Sequence, residues 1–126
     1  EIVPAVNQVE THVFNQQTEP QKSSARAHVV ETAHRGRNGF FTNSILAEIG
    51  SKYGKSIVQI ALRWLIQRGV IIIPKSIHIE RMQQNTDIFQ FLSLTDEDMA
   101  TIATLDMGYS LFFDHYDAKT THMFME

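Results

Sequence analysis

The 126-residue sequence contains no cysteine, and that one absence removes two classes of site. Neither a disulfide framework nor a thiolate metal centre can be built. It has no apolar run near the roughly 18 residues a membrane-spanning helix needs, and no signal peptide is visible. There is no excess of positive charge either: 11 Lys and Arg stand against 14 Asp and Glu, a net charge of −3. A nucleic-acid or anionic-membrane partner is therefore not expected. The six histidines are His12, His28, His34, His78, His115 and His122; no two stand four apart and there is no HExxH arrangement. They read as scattered surface residues, so no metal site is expected. The rest is ordinary for a globular chain, with 43% hydrophobic and 20% charged residues. That balance permits one soluble domain, with the cytoplasm as its default location.

Apolar periodicity alternates between strand and helix. Residues 2–9, IVPAVNQV, read as a strand with Pro4 near its start. The polar run 15–26 holds Pro20, Ser23 and Ser24 and supports only a short helix around 19–26. Residues 28–32 read as a second short strand. Thr42 or Asn43 then caps a helix with Ile45, Leu46, Ile49 and Tyr53 at helical spacing, and Gly54 ends it. Ser56 caps the next, whose face is Ile57, Ile60, Ala61, Trp64 and Leu65, and Gly69 stops it. Residues 70–73 are four consecutive apolar residues, expected as a strand buried on both faces in a parallel sheet. Thr95 with Asp98 resembles a capping box and leads a helix with Met99, Ile102, Ala103 and Leu105 on its apolar face. From Gly108 the chain is aromatic and irregular and reads as a loop.

The most informative stretch is IIIPKSIHIERMQQN, residues 71–85. Pro74 cannot extend a strand ladder, so the strand stops where Lys75 begins. Lys75, the Ser76 hydroxyl, Arg81 and the positive end of a helix then gather beyond the strand's carboxyl end. Such a set suits a phosphate monoester, with a guanidinium fork beside a compact ammonium. On the residues alone, a basic turn between a strand and a surface helix accounts for the same pattern.

Longer segments narrow the choice. IALRWLIQRGVIIIPKSIHIERMQQNTDIFQFLSLTDEDMATIATLD, residues 60–106, closely resembles the C-terminal third of aldo-keto reductases, NADPH-dependent carbonyl reductases built on a (β/α)8 barrel. AVNQVETHVFNQQ, residues 5–17, is similar to the sixth strand and exit loop of that barrel. GRNGFFTNSILAEIGSKYGKS, residues 36–56, is similar to the insertion and seventh helix of the small bacterial and fungal branch. SLFFDHYD, residues 110–117, resembles the tail. The resemblance implies an α/β fold made of the last three βα units. Residues 1–35 would be the region of strands six and seven, 36–106 the cofactor-binding units, and 107–126 a tail loop.

The resemblance also implies site residues. Lys75, Ser76 and Arg81 match the positions that hold the 2′-phosphate of NADPH, Gln84 and Asn85 those that bind its adenine, and Gln8 the one that bonds the nicotinamide carboxamide. His78 shares the phosphate turn. His34 falls near a position where the family stacks an aromatic ring on the nicotinamide, but imidazole offers less surface than Tyr or Trp, and it reads instead as an ordinary loop histidine. Leu111, Phe112 and Phe113 would line a substrate pocket or cover the barrel. Asp114 with His115 has the look of an acid/base pair but no partner spacing that supports catalysis.

A (β/α)8 barrel needs roughly 250 residues, and this chain starts at Glu1 with what resembles a sixth strand. The family's catalytic Asp, Tyr, Lys and His come from the first half, so no position here inherits them. The expectation is a fragment or truncated form of an NADPH-dependent oxidoreductase that reduces aldehydes or ketones, inactive by itself. The alternative is a non-catalytic NADP(H)-binding or interaction module. Exposed barrel edges would favour self-association.

Overall fold

The computed structural model describes residues 7–18, 28–30, 34–90, 93–111, 118 and 122. Three short strands form a parallel sheet in the order β1 (Asn7–Gln8), β2 (His28–Val30), β3 (Ile71–Ile72). Asn7 lies opposite His28 and Gln8 opposite Val29, while Val29 pairs with Ile71 and Val30 with Ile72. Because the strands run the same way, their carboxyl ends emerge on one edge. The loop after β1 and the turn after β3 both leave from that edge. Parts of the two expected N-terminal strands, residues 2–6 and 31–32, lie outside the described residues, as does all of the weak helix expected at 19–26.

A 3-10 segment, His34–Thr42, leads into the helices. Helix α1 (Ser44–Tyr53) is capped by Asn43, whose side chain accepts from the Leu46 N–H at 3.0 Å. Its end is a left-handed Gly54, φ 63°, which returns its N–H to Gly50 and Ser51. The reversal is tight: a Cβ on Gly50 would meet the Lys55 carbonyl oxygen at 2.6 Å. Helix α2 (Ile57–Gln67) starts with a complete capping box between Ser56 and Gln59. Helices α3 (Ile79–Asp87) and α4 (Asp96–Ala103) follow β3.

The core gathers on α2. Ile60, Ala61, Trp64 and Leu65 are buried against Leu46 and Ile49 of α1, Ile102 of α4, and Val70, Leu94, Phe14 and Phe40 from the connecting segments. Trp64 also carries the Arg68 guanidinium 4.3 Å from its ring centre, and Arg68 donates to the Gln16 carbonyl at 2.9 Å.

Three sequence expectations are corrected here. Residues 70–73 are not buried on both faces: Val70 is buried, but Ile71 and Ile73 are 47% and 63% exposed. The side chains alternate, so one set meets α2 while the other faces the opposite side of the sheet, where no described layer lies. Ala103 is exposed: about 100° around the helix from the buried Ile102, it turns off the packed face of α4. The Thr95–Asp98 box forms only in part. The Thr95 hydroxyl accepts from the Asp98 N–H at 3.2 Å, but the Asp98 carboxylate does not return to the Thr95 N–H. It takes the Thr95 hydroxyl, the Tyr53 hydroxyl and the Lys52 ammonium, and the Thr95 N–H goes to the Tyr53 oxygen at 3.2 Å. Burial alone would push that carboxyl up; the hydrogen bonds from Tyr53, Lys52 and Thr95 outweigh it and hold it at about 2. The cluster ties α1 to α4.

Candidate cofactor site

Strand β3 ends at Ile72, two residues before Pro74, and Lys75 stands exposed immediately beyond the proline. The Ser76 hydroxyl is turned back on its own loop, where it accepts from the His78 N–H at 3.1 Å and lies 3.2 Å from the His78 carbonyl. This small side-chain turn fixes the approach to α3. His78 sits at the N-cap in extended conformation without a side-chain cap bond. The first N–H groups of α3 therefore receive no cap from it, and the positive end of the helix faces outward. Arg81, two residues into the helix, is exposed. Glu80 in the same turn is the acidic counterweight. Along the chain Lys75 and Ser76 thus precede the N-terminus of α3 and Arg81 lies in its first turn.

Gln84 and Asn85 follow on the second turn, Gln84 exposed and Asn85 half-buried. A shallow depression along α3 is lined by Gln84 with Glu80, Gln83, Thr86, Asp87 and Gln90; it includes none of Lys75, Ser76 and Arg81. Gln8 ends β1 two strands away on the same edge, roughly 10 Å across the sheet. Its side chain lies outside what is described, as do those of His28 and His34. Phe112, Phe113, Asp114 and His115 also lie outside the described residues.

The loop after β1 holds a buried polar cluster that the sequence reading missed. Glu10 accepts from the Ser110 hydroxyl, from the Leu111 N–H at 2.9 Å and from His12 Nε2 at 2.9 Å. Burial pushes its carboxyl up, but these donors prevail and leave it below the usual carboxylate range. His12 is not the surface histidine expected: it is 3% exposed. Its Nδ1 accepts from the Phe14 N–H at 3.2 Å, so Nε2 carries the proton given to Glu10. Two further contacts dock the same loop against the start of the tail. The Met107 N–H donates to the Phe14 carbonyl at 2.8 Å, and the Gln16 N–H to Asp106 at 3.1 Å. No spacing rule links residues 10 and 110, and only the fold brings them together. Among the described residues no three His, Asp or Glu gather as a metal ligand set.

The sequence pattern of the Aldo/keto reductase family matches residues 10–107. The chain belongs to the aldo/keto reductase family. It is 38% identical over 120 residues to NADP-dependent D-sorbitol-6-phosphate dehydrogenase of Malus domestica, covering 86% of this chain and 38% of that protein. It is 35% identical over 136 residues to morphine 6-dehydrogenase of Pseudomonas putida, covering 96% and 46% respectively. A solved aldo-keto reductase from a Medee basin deep-sea metagenome library superposes with a TM-score of 0.79 at 37% identity, over 94% of this chain and 46% of that one. An aldo-keto reductase complexed with NADPH gives 0.75 at 32% identity, over 86% and 37%. The chain thus spans less than half the length of these relatives. Its fold is α/β, a part of the (β/α)8 barrel that these reductases share. Among the described residues of this chain no helix is long and apolar enough to cross a membrane.

Proposed function

We propose that this chain forms the NADP(H)-binding part of a cytoplasmic oxidoreductase that reduces aldehydes or ketones by hydride transfer. The observation that carries the reading is the outward-facing N-terminus of α3, flanked by exposed Lys75 and Arg81 at the carboxyl edge of the sheet. Lys75, Ser76 and Arg81 hold the 2′-phosphate, Gln84 and Asn85 the adenine, and Gln8 the nicotinamide carboxamide. Two cations beside a helix N-terminus match a dianionic phosphate, which NADH lacks. The Malus relative is named for its NADP dependence, and one of the matched reductases was solved in complex with NADPH, which supports the same cofactor here. The bound cofactor supplies the hydride, and this chain's residues bind and orient it. The substrate is a small carbonyl compound, and the apolar sheet face at Ile71 and Ile73 is a surface for self-association.

One observation favours a second reading, a non-catalytic NADP(H)-binding or interaction module. The Tyr53 hydroxyl is held by Asp98 and the Thr95 N–H, so it is not poised to protonate an alkoxide. The test is calorimetry with both cofactors. Arg81→Ala removes a charge-assisted contact worth roughly 1.5–3 kcal/mol. It should weaken NADPH by that amount and leave NADH nearly unchanged. Equal loss for the two would overturn the phosphate assignment.

A further inference from the structure

Helix α3 buries no residue along its own span, and apolar packing holds it only at its C-cap, where Ile88 is fully buried. Polar residues on α2 hold the rest. Lys55, Gln59, Arg63 and Gln67 recur every four residues along one face of that helix and its cap, and side chains at that spacing stand one above another. Lys55 pairs with Asp87 at the end of α3. Arg63 donates to the Ile88 carbonyl at 3.2 Å and to the Ser93 hydroxyl at 2.9 Å. Gln67 both accepts from the Leu94 N–H at 2.7 Å and donates to the Leu94 carbonyl at 3.1 Å. Gln59 is the rung that reaches inside α3. Its Nε2 donates to the Gln84 carbonyl at 3.0 Å and to Asp87 at 3.3 Å, while its Oε1 accepts from the Ser56 N–H at 3.0 Å.

We infer that Gln59 is a positioning residue for the nucleotide. Through the Gln84 main chain it sets where α3 lies relative to the end of β3, and so the distance from Arg81, Gln84 and Asn85 to Lys75. The inference rests on the cofactor reading given above. It has a geometric reason: Gln59 is 5% exposed and so cannot touch the nucleotide itself. Its amide has one end on the α2 cap and the other on α3, a linkage that an acceptor-only group cannot make.

The test compares two rungs. Gln59→Glu keeps an acceptor for Ser56 but cannot donate to the Gln84 carbonyl, and it places a carboxylate against Asp87. Gln67→Met removes a rung whose hydrogen bonds, among the described residues, go to Leu94 and not to α3. Both variants should lower the melting temperature. Calorimetry with NADPH and with adenosine 2′,5′-bisphosphate should show at least tenfold weaker binding for Gln59→Glu and under twofold change for Gln67→Met. Amide exchange across residues 79–88 should quicken in the first variant alone. Equal weakening by the two variants, or unchanged affinity in Gln59→Glu, would overturn the positioning role and leave the cofactor reading standing. Failure of the unaltered chain to bind NADPH would overturn both.

Discussion

Helices α2 and α3 are of similar length, 11 and 9 residues, yet six residues of α2 are buried and none of α3. The first is fixed by Ile60, Ala61, Trp64 and Leu65 inside the apolar core. The second is held from one side by hydrogen bonds and leaves its outer surface and N-terminus open. A helix that meets a charged ligand cannot also bury its first turn, because orphan N–H groups and cations would lose water without gaining partners. The division puts the apolar core on one helix and leaves the next exposed, which is what the proposed cofactor site requires. The short polar ladder between them keeps the two in register.

The sharpest way to break this contrast is at Trp64, which is 1% exposed and in the centre of the core. Trp64→Ala should cost about 3–5 kcal/mol, read as a lower urea midpoint or loss of a cooperative transition. A cost below about 1 kcal/mol would mean that the core is not where stability resides.

A smaller effect should come from the clamp between α1 and α4. Asp98 has its carboxyl held at about 2 instead of 3.8. The unfolded chain therefore binds the proton more tightly, and the clamp's contribution is complete above pH 3.8. It is lost as pH falls toward 2, and we expect about 1–2 kcal/mol after allowance for the exposed Lys52. Thermal melts should show Asp98→Asn less stable than the unaltered chain near neutrality, with the gap closing in acid. A gap that persists undiminished at low pH would place the effect in packing rather than in charge.

The smallest change in stability is expected on the open sheet face. Ile73→Lys replaces a side chain that is 63% exposed, and folding should change by no more than about 0.5 kcal/mol. Light scattering should register the substitution instead, as reduced self-association. If scattering is unchanged, the apolar face is not the contact.

Much of the architecture is legible in the residues themselves. Asn43, Gly54, Ser56 and Gly69 mark helix ends by local chemistry, and each stands where the sequence places it. Lys75, Ser76 and Arg81 are close in sequence, so one strand exit and one helix start place all three. What the sequence hides is non-local. Glu10 meets Ser110 and Leu111, and Asp98 leaves its expected cap for Lys52 and Tyr53, through contacts that depend on how whole elements pack. His12 looks like any surface histidine until the loop after β1 encloses it. Ile71 and Ile73 mislead for the opposite reason: a run of apolar residues says what a face prefers, not what covers it.

The docking of the tail onto the loop after β1 bears on the order in which the molecule assembles. The ladder from α2 closes loops of 25 to 32 residues, whereas the Glu10–Ser110 and Gln16–Asp106 bonds join groups 100 and 90 residues apart. Two doublings of loop length add roughly 1.2 kcal/mol of chain entropy, so the helical part should form first and the docking last. That cost is met once, by whichever contact closes first. The others, at Leu111, at Met107 and between Gln16 and the end of α4, then follow with little further loss. Residues 10–16 and 106–111 should therefore open and close as one cooperative unit, the last to assemble and the first to come undone.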